Sequence, residues 1–319
     1  MIGAAMQAQE PPLIALVGPT AVGKTAVGIA LARTLGAEIL SADAVAVYRG
    51  LNIGAAKPDH HERAQAVFHL LDLVAPDEDF TLAEFERLGS EAVAAVRERG
   101  RIPLLVGGTG LYVRALTATL TVPNVPPQTA FRERLWAEAE GRGTPFLHAR
   151  LAGVDPVSAE KIHFGDRKRI IRALEVYEIT GQPMSAFHTP EGVQGVPRPN
   201  TLIFGLEAER PALYQRIEER VDAMMAAGFV EEVRALWAAG YGPSLKSMQS
   251  LGYRHLLQHL VEGQPLIESV AELKRDTRRY AKRQISWFKA DPMVHWLRAP
   301  EKNVTAEAVA AVISGQVNR

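Results

Sequence analysis

A chain of 319 residues, 47% hydrophobic and 23% charged, has the composition of a globular protein large enough for one core and a sizeable insertion. Its 36 basic and 36 acidic residues balance, so attraction to nucleic acid has to come from local patches. The absence of cysteine excludes disulfides, cysteine-ligated zinc, iron–sulfur clusters and thiol nucleophiles.

The opening MIGAAMQAQEPP has no basic stretch followed by a long apolar run, so it does not read as a secretory signal. No run of apolar residues is long enough to span a bilayer, and the expected location is cytoplasmic, without a membrane. Leu13 to Val17 is the first predicted strand, ending in a Gly-rich turn, and the Ala/Leu-rich stretch Lys24 to Leu35 is the first helix. A short apolar piece, Glu38 to Leu40, runs into the polar turn Ser41 to Asp43. Phe68 to Val74 is a third predicted strand. Phe80 to Arg99 carries Leu82, Phe85, Leu88, Ala92 and Val96 at helical spacing. Ile102 to Val106 is a fourth strand, closed by a second Gly-rich turn, Gly107 to Gly110.

The pattern changes near Leu120. A Pro-rich junction (Pro123 to Gln128) leads to helical periodicity from Phe131 to Phe187, and a Pro/Gly-rich junction (His188 to Asn200) closes it. Thr201 to Leu206 reads as a further strand, followed by long helices over Pro211 to Ala239 and Ser269 to Lys289. The expected fold is α/β: a P-loop NTPase-like parallel sheet flanked by helices, carrying an all-helical insertion. Residues 11–119 and 201–299 are assigned to the core, 120–200 to the insertion and 300–319 to a C-terminal tail.

GPTAVGKT, Gly18 to Thr25, fits G-x-x-x-x-G-K-[ST] between a predicted strand and a predicted helix. Such a turn points backbone N–H groups at phosphate oxygens, and the helix N-terminus adds partial positive charge. Gly18, Pro19, Thr20, Ala21, Val22, Gly23, Lys24 and Thr25 are therefore the candidate phosphate site. Lys24 supplies a full charge, and the Thr25 hydroxyl is placed to ligate Mg²⁺. Two features weaken the reading as a small-molecule kinase. The strand Ile102 to Val106 ends in glycines without an acidic residue, and the carboxylate nearest in motif terms is Asp43. Asp43 is a candidate base or Mg²⁺ neighbour, with the capping of a following helix as its structural alternative.

Basic residues gather in two places. Lys274, Arg275, Arg278, Arg279, Lys282, Arg283 and Lys289 crowd the late helix with Tyr280, Trp287 and Phe288 interleaved, and Arg167, Lys168, Arg169 and Arg172 cluster in the insertion. Either is a solvated helix face or an RNA contact; two clusters beside a phosphate-loop core favour RNA. His255 and His259 are four apart, and His60 and His61 adjacent, but no third ligand suggests zinc. Leu111 and Tyr112 read as core packing. A kinase and a nucleotide-switched RNA-binding protein remain the competing functions on these residues.

Six blocks, in order, add a resemblance: GPTAVGKT, SADAVAVYRGLNIGAAKP (Ser41 to Pro58), HLLD (His69 to Asp72), LLVGGTGLYVRAL (Leu104 to Leu116), DRKRIIRALEVYEITGQP (Asp166 to Pro183) and RRYAKRQISWF (Arg278 to Phe288). Together, over Leu13 to Trp296, they closely resemble the bacterial tRNA dimethylallyltransferases, or tRNA isopentenyltransferases. The resemblance implies dimethylallyl pyrophosphate in the phosphate loop (Thr20 to Thr25), Mg²⁺ as cofactor, and the anticodon stem-loop of tRNA as partner. The acceptor would be N6 of the adenine 3′ to the anticodon, flipped into a channel. It implies Asp43 as general base, Lys24 and Thr109 as further catalytic residues, Asp43, Ala44, Val45 and Ala46 lining the flipped base, and Thr109 contacting the tRNA near that base. Lys168, Arg169, Ile170, Ile171 and Arg172 would belong to the tRNA-binding insertion. It implies a monomer with no obligate protein partner. The sequence departs from the family where D-S-x-Q-V-Y is usual: DAVAVY puts Ala44 and Ala46 in place of a hydroxyl and an amide, each contact worth about 0.5–1.5 kcal/mol. Paired histidines are reduced to His69 after Phe68, and Lys168 stands where Gln is common.

Overall fold

The structure is a computed structural model, and it describes residues 10–120, 125–187, 195–300 and 305–317. The chain divides into two units, Met1–Thr117 with Arg198–Arg319, and Ala118–Pro197.

The first unit is built on strands β1 (Leu13–Val17), β2 (Ala37–Ala42), β3 (Phe68–His69), β4 (Ile102–Gly107), and, from beyond the second unit, Thr201–Glu207 and Val294–Arg298. The last two are numbered β7 and β8, because Ala118–Thr119 and Val196–Pro197 form a small antiparallel pair, β5 and β6, in the second unit. The main sheet has the order β3-β2-β4-β1-β7-β8, with every pairing parallel. A parallel sheet covered on both faces needs strands apolar on both sides. The fully buried run Leu13 to Val17 in the middle of the sheet fits that requirement.

Helices α1 (Lys24–Leu35), α2 (His60–Gln65), α3 (Leu82–Glu98) and α4 (Gly110–Thr117) connect the first strands. α3 begins with a capping box in which Thr81 and Glu84 satisfy each other's backbone N–H groups. The second unit holds α5 (Thr129–Arg142), α6 (Thr144–Val154), α7 (Pro156–Lys161), α8 (Arg167–Thr180) and α9 (Met184–Phe187). Its core gathers Leu135, Leu147, Leu151, Ile170, Ile171 and Leu174. After β7 come α10 (Arg210–Ala226), α11 (Phe229–Ala238), α12 (Tyr253–Glu262), α13 (Leu266–Lys289) and, past β8, α14 (Ala306–Val317).

Several sequence expectations need correction. The third strand stops after two residues, because Leu70 and Asp72 turn left-handed with φ of 63° and 57°. The helix expected over Pro211 to Ala239 is two helices, separated at Gly228, whose φ of 91° no helix interior tolerates. Leu111 is exposed; only Tyr112 is core, stacked on Phe85 with centroids 3.8 Å apart. The 300–319 tail contains the helix α14, which packs on α1 and puts Val309, Ala310 and Ile313 into the main core. Among the described residues no helix is long and apolar enough to cross a membrane.

One carboxylate organises the loop between β2 and α2. Glu232 on α11 accepts hydrogen bonds from the backbone N–H groups of Asn52, Ile53 and Gly54 at 3.1, 2.7 and 3.3 Å, and from the Tyr253 hydroxyl at 2.7 Å. Gly54 lies so close to Phe229 that a Cβ would sit 2.3 Å from its ring. Glu232→Ala strands those donors, and a charge-assisted contact of this kind is worth about 1.5–3 kcal/mol. The variant is expected to lose about 2–4 kcal/mol of stability in denaturant unfolding; an unchanged midpoint and slope would show that the loop is held by other means.

Candidate active site

The register of the sheet assembles the site. Gly107 lies opposite both Val17 and Ala42, so the turns that follow β1, β2 and β4 emerge side by side at the carboxyl edge, where parallel sheets bind ligands. Gly107 has to be glycine, since a Cβ would meet the Ala42 carbonyl oxygen at 2.2 Å.

The turn after β1 is Gly18 to Thr25. Gly18, Ala21 and Gly23 have φ of 145°, 63° and 100°, which curl the backbone into a loop. The N-terminus of α1 has no side-chain cap, leaving its first amides to an anion. Gly18 and Pro19 contribute through their carbonyls, which accept hydrogen bonds from the Lys24 ammonium at 2.9 and 2.7 Å. Val22 has its side chain wholly in the core, so only its backbone can face a ligand. Burial pulls the Lys24 pKa down to about 7, repulsion from Arg220 adds to this, and attraction to Asp43 offsets part of it.

In the turn after β2, Oδ1 of Asp43 accepts from the N–H groups of Val45 and Ala46 at 2.8 and 3.2 Å. The capping alternative is not met, because the next helix starts only at His60; Oδ1 closes a turn over residues 44–47, while Oδ2 has no hydrogen bond among the described residues. Thr109, after β4, accepts from the Ala44 N–H at 3.1 Å through its hydroxyl and donates its own N–H to the Ala42 carbonyl.

Two cavities meet here. The larger, about 730 Å³, is lined by Lys24, Thr25 and Arg216 with apolar Ile39, Phe68 and Leu71. The smaller, about 340 Å³, is lined by Ala44, Val45, Thr109, Thr277 and Arg283. Both share Thr20, Asp43, Ala55, Arg220 and Tyr280. Ala46 borders the larger cavity, apart from Ala44 and Val45.

Sequence reading missed Arg220 and Gln284 as site residues, and placed Tyr280 only among the aromatics of the basic helix. Arg220 lines both cavities, and its guanidinium makes no hydrogen bond or ion pair among the described residues; burial lowers its pKa, with Asp43 and Glu62 opposing. Burial and the nearby Asp43 push Tyr280 up to about 12, against hydrogen bonds involving Thr109 and Gln284. Gln284 accepts from the Thr20 N–H at 2.8 Å and donates to the Gly108 carbonyl at 3.0 Å.

The basic clusters look different in three dimensions. On α13, Lys274, Arg275, Arg278, Arg279 and Lys289 all pair with acids, so the stripe is largely neutralised. Lys282 and Arg283 form no ion pair among the described residues. Phe288 is core and unavailable for stacking. In the second unit, Ile170 and Ile171 are 0% and 2% exposed, so their side chains serve packing and cannot touch RNA, contrary to expectation. Arg172 is held by the buried Glu175 at 2.7 Å, which also takes Arg132. Lys168 and Arg169 are exposed at the start of α8, where Asp166 caps the helix.

His255 and His259 are structural. His255 is buried, with Nδ1 accepting from the Gly252 N–H and Nε2 near Asp276 at 3.3 Å. His259 bonds the Gln264 carbonyl. Among the described residues no three His, Asp or Glu side chains converge as a metal site.

A family described as IPP transferase matches residues 46–291, and one described as isopentenyl transferase matches residues 11–69. The tRNA dimethylallyltransferase of Desulforudis audaxviator is 47% identical over 291 residues, covering 91% of this chain and 93% of that protein. That of Symbiobacterium thermophilum is 47% identical over 305 residues, covering 95% of each. The crystal structure of a tRNA isopentenylpyrophosphate transferase from Bacillus halodurans superposes with a TM-score of 0.70 at 36% identity, covering 97% of both chains. A eukaryotic dimethylallyltransferase captured acting on tRNA gives a TM-score of 0.77 at 25% identity, over 97% of this chain and 80% of that one.

Proposed function

The chain belongs to the tRNA dimethylallyltransferase (IPP transferase) family, and we propose that it transfers a dimethylallyl group from dimethylallyl pyrophosphate to N6 of the adenine 3′ to the anticodon of tRNA, releasing pyrophosphate. The observation that carries this assignment of roles is Asp43, which stands where a phosphate-loop cavity and a second cavity join.

The donor's diphosphate lies against the amides at the start of α1, with Lys24 and Arg220 as its counter-charges. Its allyl group points to the common wall, and the adenine enters the smaller cavity beside Ala44, Val45 and Thr109. An exocyclic adenine amine is a weak nucleophile, because its lone pair is delocalised. The leaving group must therefore depart easily. As the N6 lone pair bonds to the allylic carbon, the C–O bond breaks and its electron pair goes to pyrophosphate, stabilised by Lys24, Arg220 and the loop amides. Asp43 takes the N6 proton through the oxygen left free by its turn. A base in a helix cannot reach a buried carbon, so the adenine is splayed from its stack.

The fit to a divalent cation rests on Thr25, whose side chain lines the larger cavity and makes no hydrogen bond among the described residues. With no cluster of three carboxylates or histidines there among the described residues, such a cation would take most ligands from the diphosphate, and Mg²⁺ is the one we propose. When bound, it neutralises charge on the leaving group.

The second unit supplies the tRNA grip through Lys168 and Arg169. Its ends are close: the Arg198 N–H bonds the Thr117 carbonyl at 2.8 Å. Joining these residues by a short glycine linker in place of Ala118–Pro197 should leave a first unit that unfolds cooperatively but binds tRNA at least about tenfold more weakly, since each lost phosphate contact costs affinity. Equal tRNA affinity in filter binding would refute this role. The reaction itself is tested by incubating the protein with labelled dimethylallyl pyrophosphate, Mg²⁺ and bulk tRNA. Label should enter RNA, while labelled ATP run beside it is neither hydrolysed nor transferred; ATP turnover without prenylation would favour a kinase.

A further inference from the structure

The phosphate loop and the Gly107–Gly110 turn come from different strands, and beyond the strand ends no backbone hydrogen bond joins them among the described residues. One side chain does. Gln284, 6% exposed, spans from the Thr20 N–H at 2.8 Å to the Gly108 carbonyl at 3.0 Å, 264 and 176 residues away in sequence. A donor on one side and an acceptor on the other fix which end of the amide is which, and a carboxamide provides both at separate atoms. The turn is shaped to receive it: a Cβ on Gly108 would lie 2.1 Å from Nε2 of Gln284. One turn further along α13, Trp287 covers Gly110 in the same way, with Nε1 at 2.1 Å from where a Cβ would be. Clamped at both glycines, the turn projects Thr109 towards Ala44.

We propose that Gln284 is a positioning residue, whose carboxamide ties the phosphate loop to the Thr109 turn and so holds allyl donor and adenine in register. This rests on the function proposed above. Bringing reactants into alignment contributes heavily to rate, and a misplacement of about 1 Å costs on the order of 10²-fold. Binding of each substrate alone involves one side of the tie, whereas reaction needs both.

The test is steady-state kinetics on Gln284→Met, which keeps length and bulk but neither hydrogen bond. The expected result is a kcat about 10–100-fold lower with both KM values within about threefold of wild type. Gln284→Glu keeps an acceptor for Thr20 but cannot donate to Gly108 when ionised, and it sets negative charge near the diphosphate; its donor KM should rise as well. Gly108→Ala pushes on the amide from the other side, so combining it with Gln284→Met should lower kcat no further than the worse single variant. A Met variant with kcat within twofold of wild type overturns the proposal, as does full additivity in the pair. If Gln284→Met does not fold, Gln284→Asn, with the amide but a shorter reach, takes its place with the same outcomes. Hydrogen exchange at the Thr20 amide needs no substrate and separates this proposal from the reaction itself. Faster exchange in the variant supports the tie even if transfer by the wild type fails; unchanged exchange overturns it.

Discussion

Asp43→Asn should lower kcat for prenyl transfer by about 10²–10⁴-fold, the usual contribution of a positioned base, while tRNA affinity stays within about twofold. Asparagine is the informative substitution because Asp43 has two separate tasks. Its Oδ1 holds the turn by accepting from Val45 and Ala46, and an amide oxygen can do the same. What asparagine cannot do is take the N6 proton. Asp43→Ala removes both functions, and loss of the turn hydrogen bonds adds about 1 kcal/mol of local instability, so its loss of activity would mix two causes. Full activity in the asparagine variant, measured under single-turnover conditions with tRNA saturating, would remove Asp43 from the chemistry and leave it as a turn-forming residue.

Lys24→Ala should raise the donor KM and lower kcat together, reducing kcat/KM by about 10²–10³-fold, the loss seen when one preorganised charge-stabilising group is deleted. The pH dependence carries a sharper signature. Burial and Arg220 bring Lys24 to about 7 in the free protein, so it is largely charged below that pH and largely neutral above it. The diphosphate requires the charged form. Above neutrality, binding must therefore take up a proton, and wild-type kcat/KM for the donor should fall as pH rises through about 7 to 9. Lys24→Ala has no such group and should lose that limb, the donor's own titration being common to both proteins. Calorimetry in two buffers of different ionisation enthalpy should register more proton uptake in the wild type than in the variant. Identical profiles for the two proteins would mean that the titrating group lies elsewhere.

The parts of this site that were legible from sequence are those made by contiguous residues. GPTAVGKT between a strand and a helix dictates its own backbone path, and the sheet follows from apolar runs alternating with helical periodicity. Arg220, Tyr280 and Gln284 reach the site from helices far along the chain, and nothing local distinguishes them from their neighbours. On α13 the same periodicity that attracts attention to the basic residues conceals the working face. Tyr280, Gln284 and Trp287, at i, i+4 and i+7, face the phosphate loop and the Thr109 turn, whereas most of the arginines and lysines are occupied by acids, from other segments at Lys274, Arg278 and Lys289 and from the helix itself at Arg275 and Arg279. Ile170 and Ile171 fall inside a matching motif, yet helical spacing turns both into the core of the second unit. Motif membership names a segment; burial decides which of its side chains can touch a ligand. The C-terminal helix escaped notice because its Ala- and Val-rich sequence becomes meaningful only against α1.

The mechanism has a diphosphate-gripping loop deliver an allyl carbon to the exocyclic amine of one particular purine. It is tested most directly with two anticodon stem-loop RNAs, one carrying adenine 3′ to the anticodon and the other an otherwise identical purine lacking the exocyclic amine. Incubation with labelled dimethylallyl pyrophosphate and Mg²⁺ should label the first RNA, at that nucleoside alone, and leave the second blank. Equal labelling of both RNAs would contradict the account.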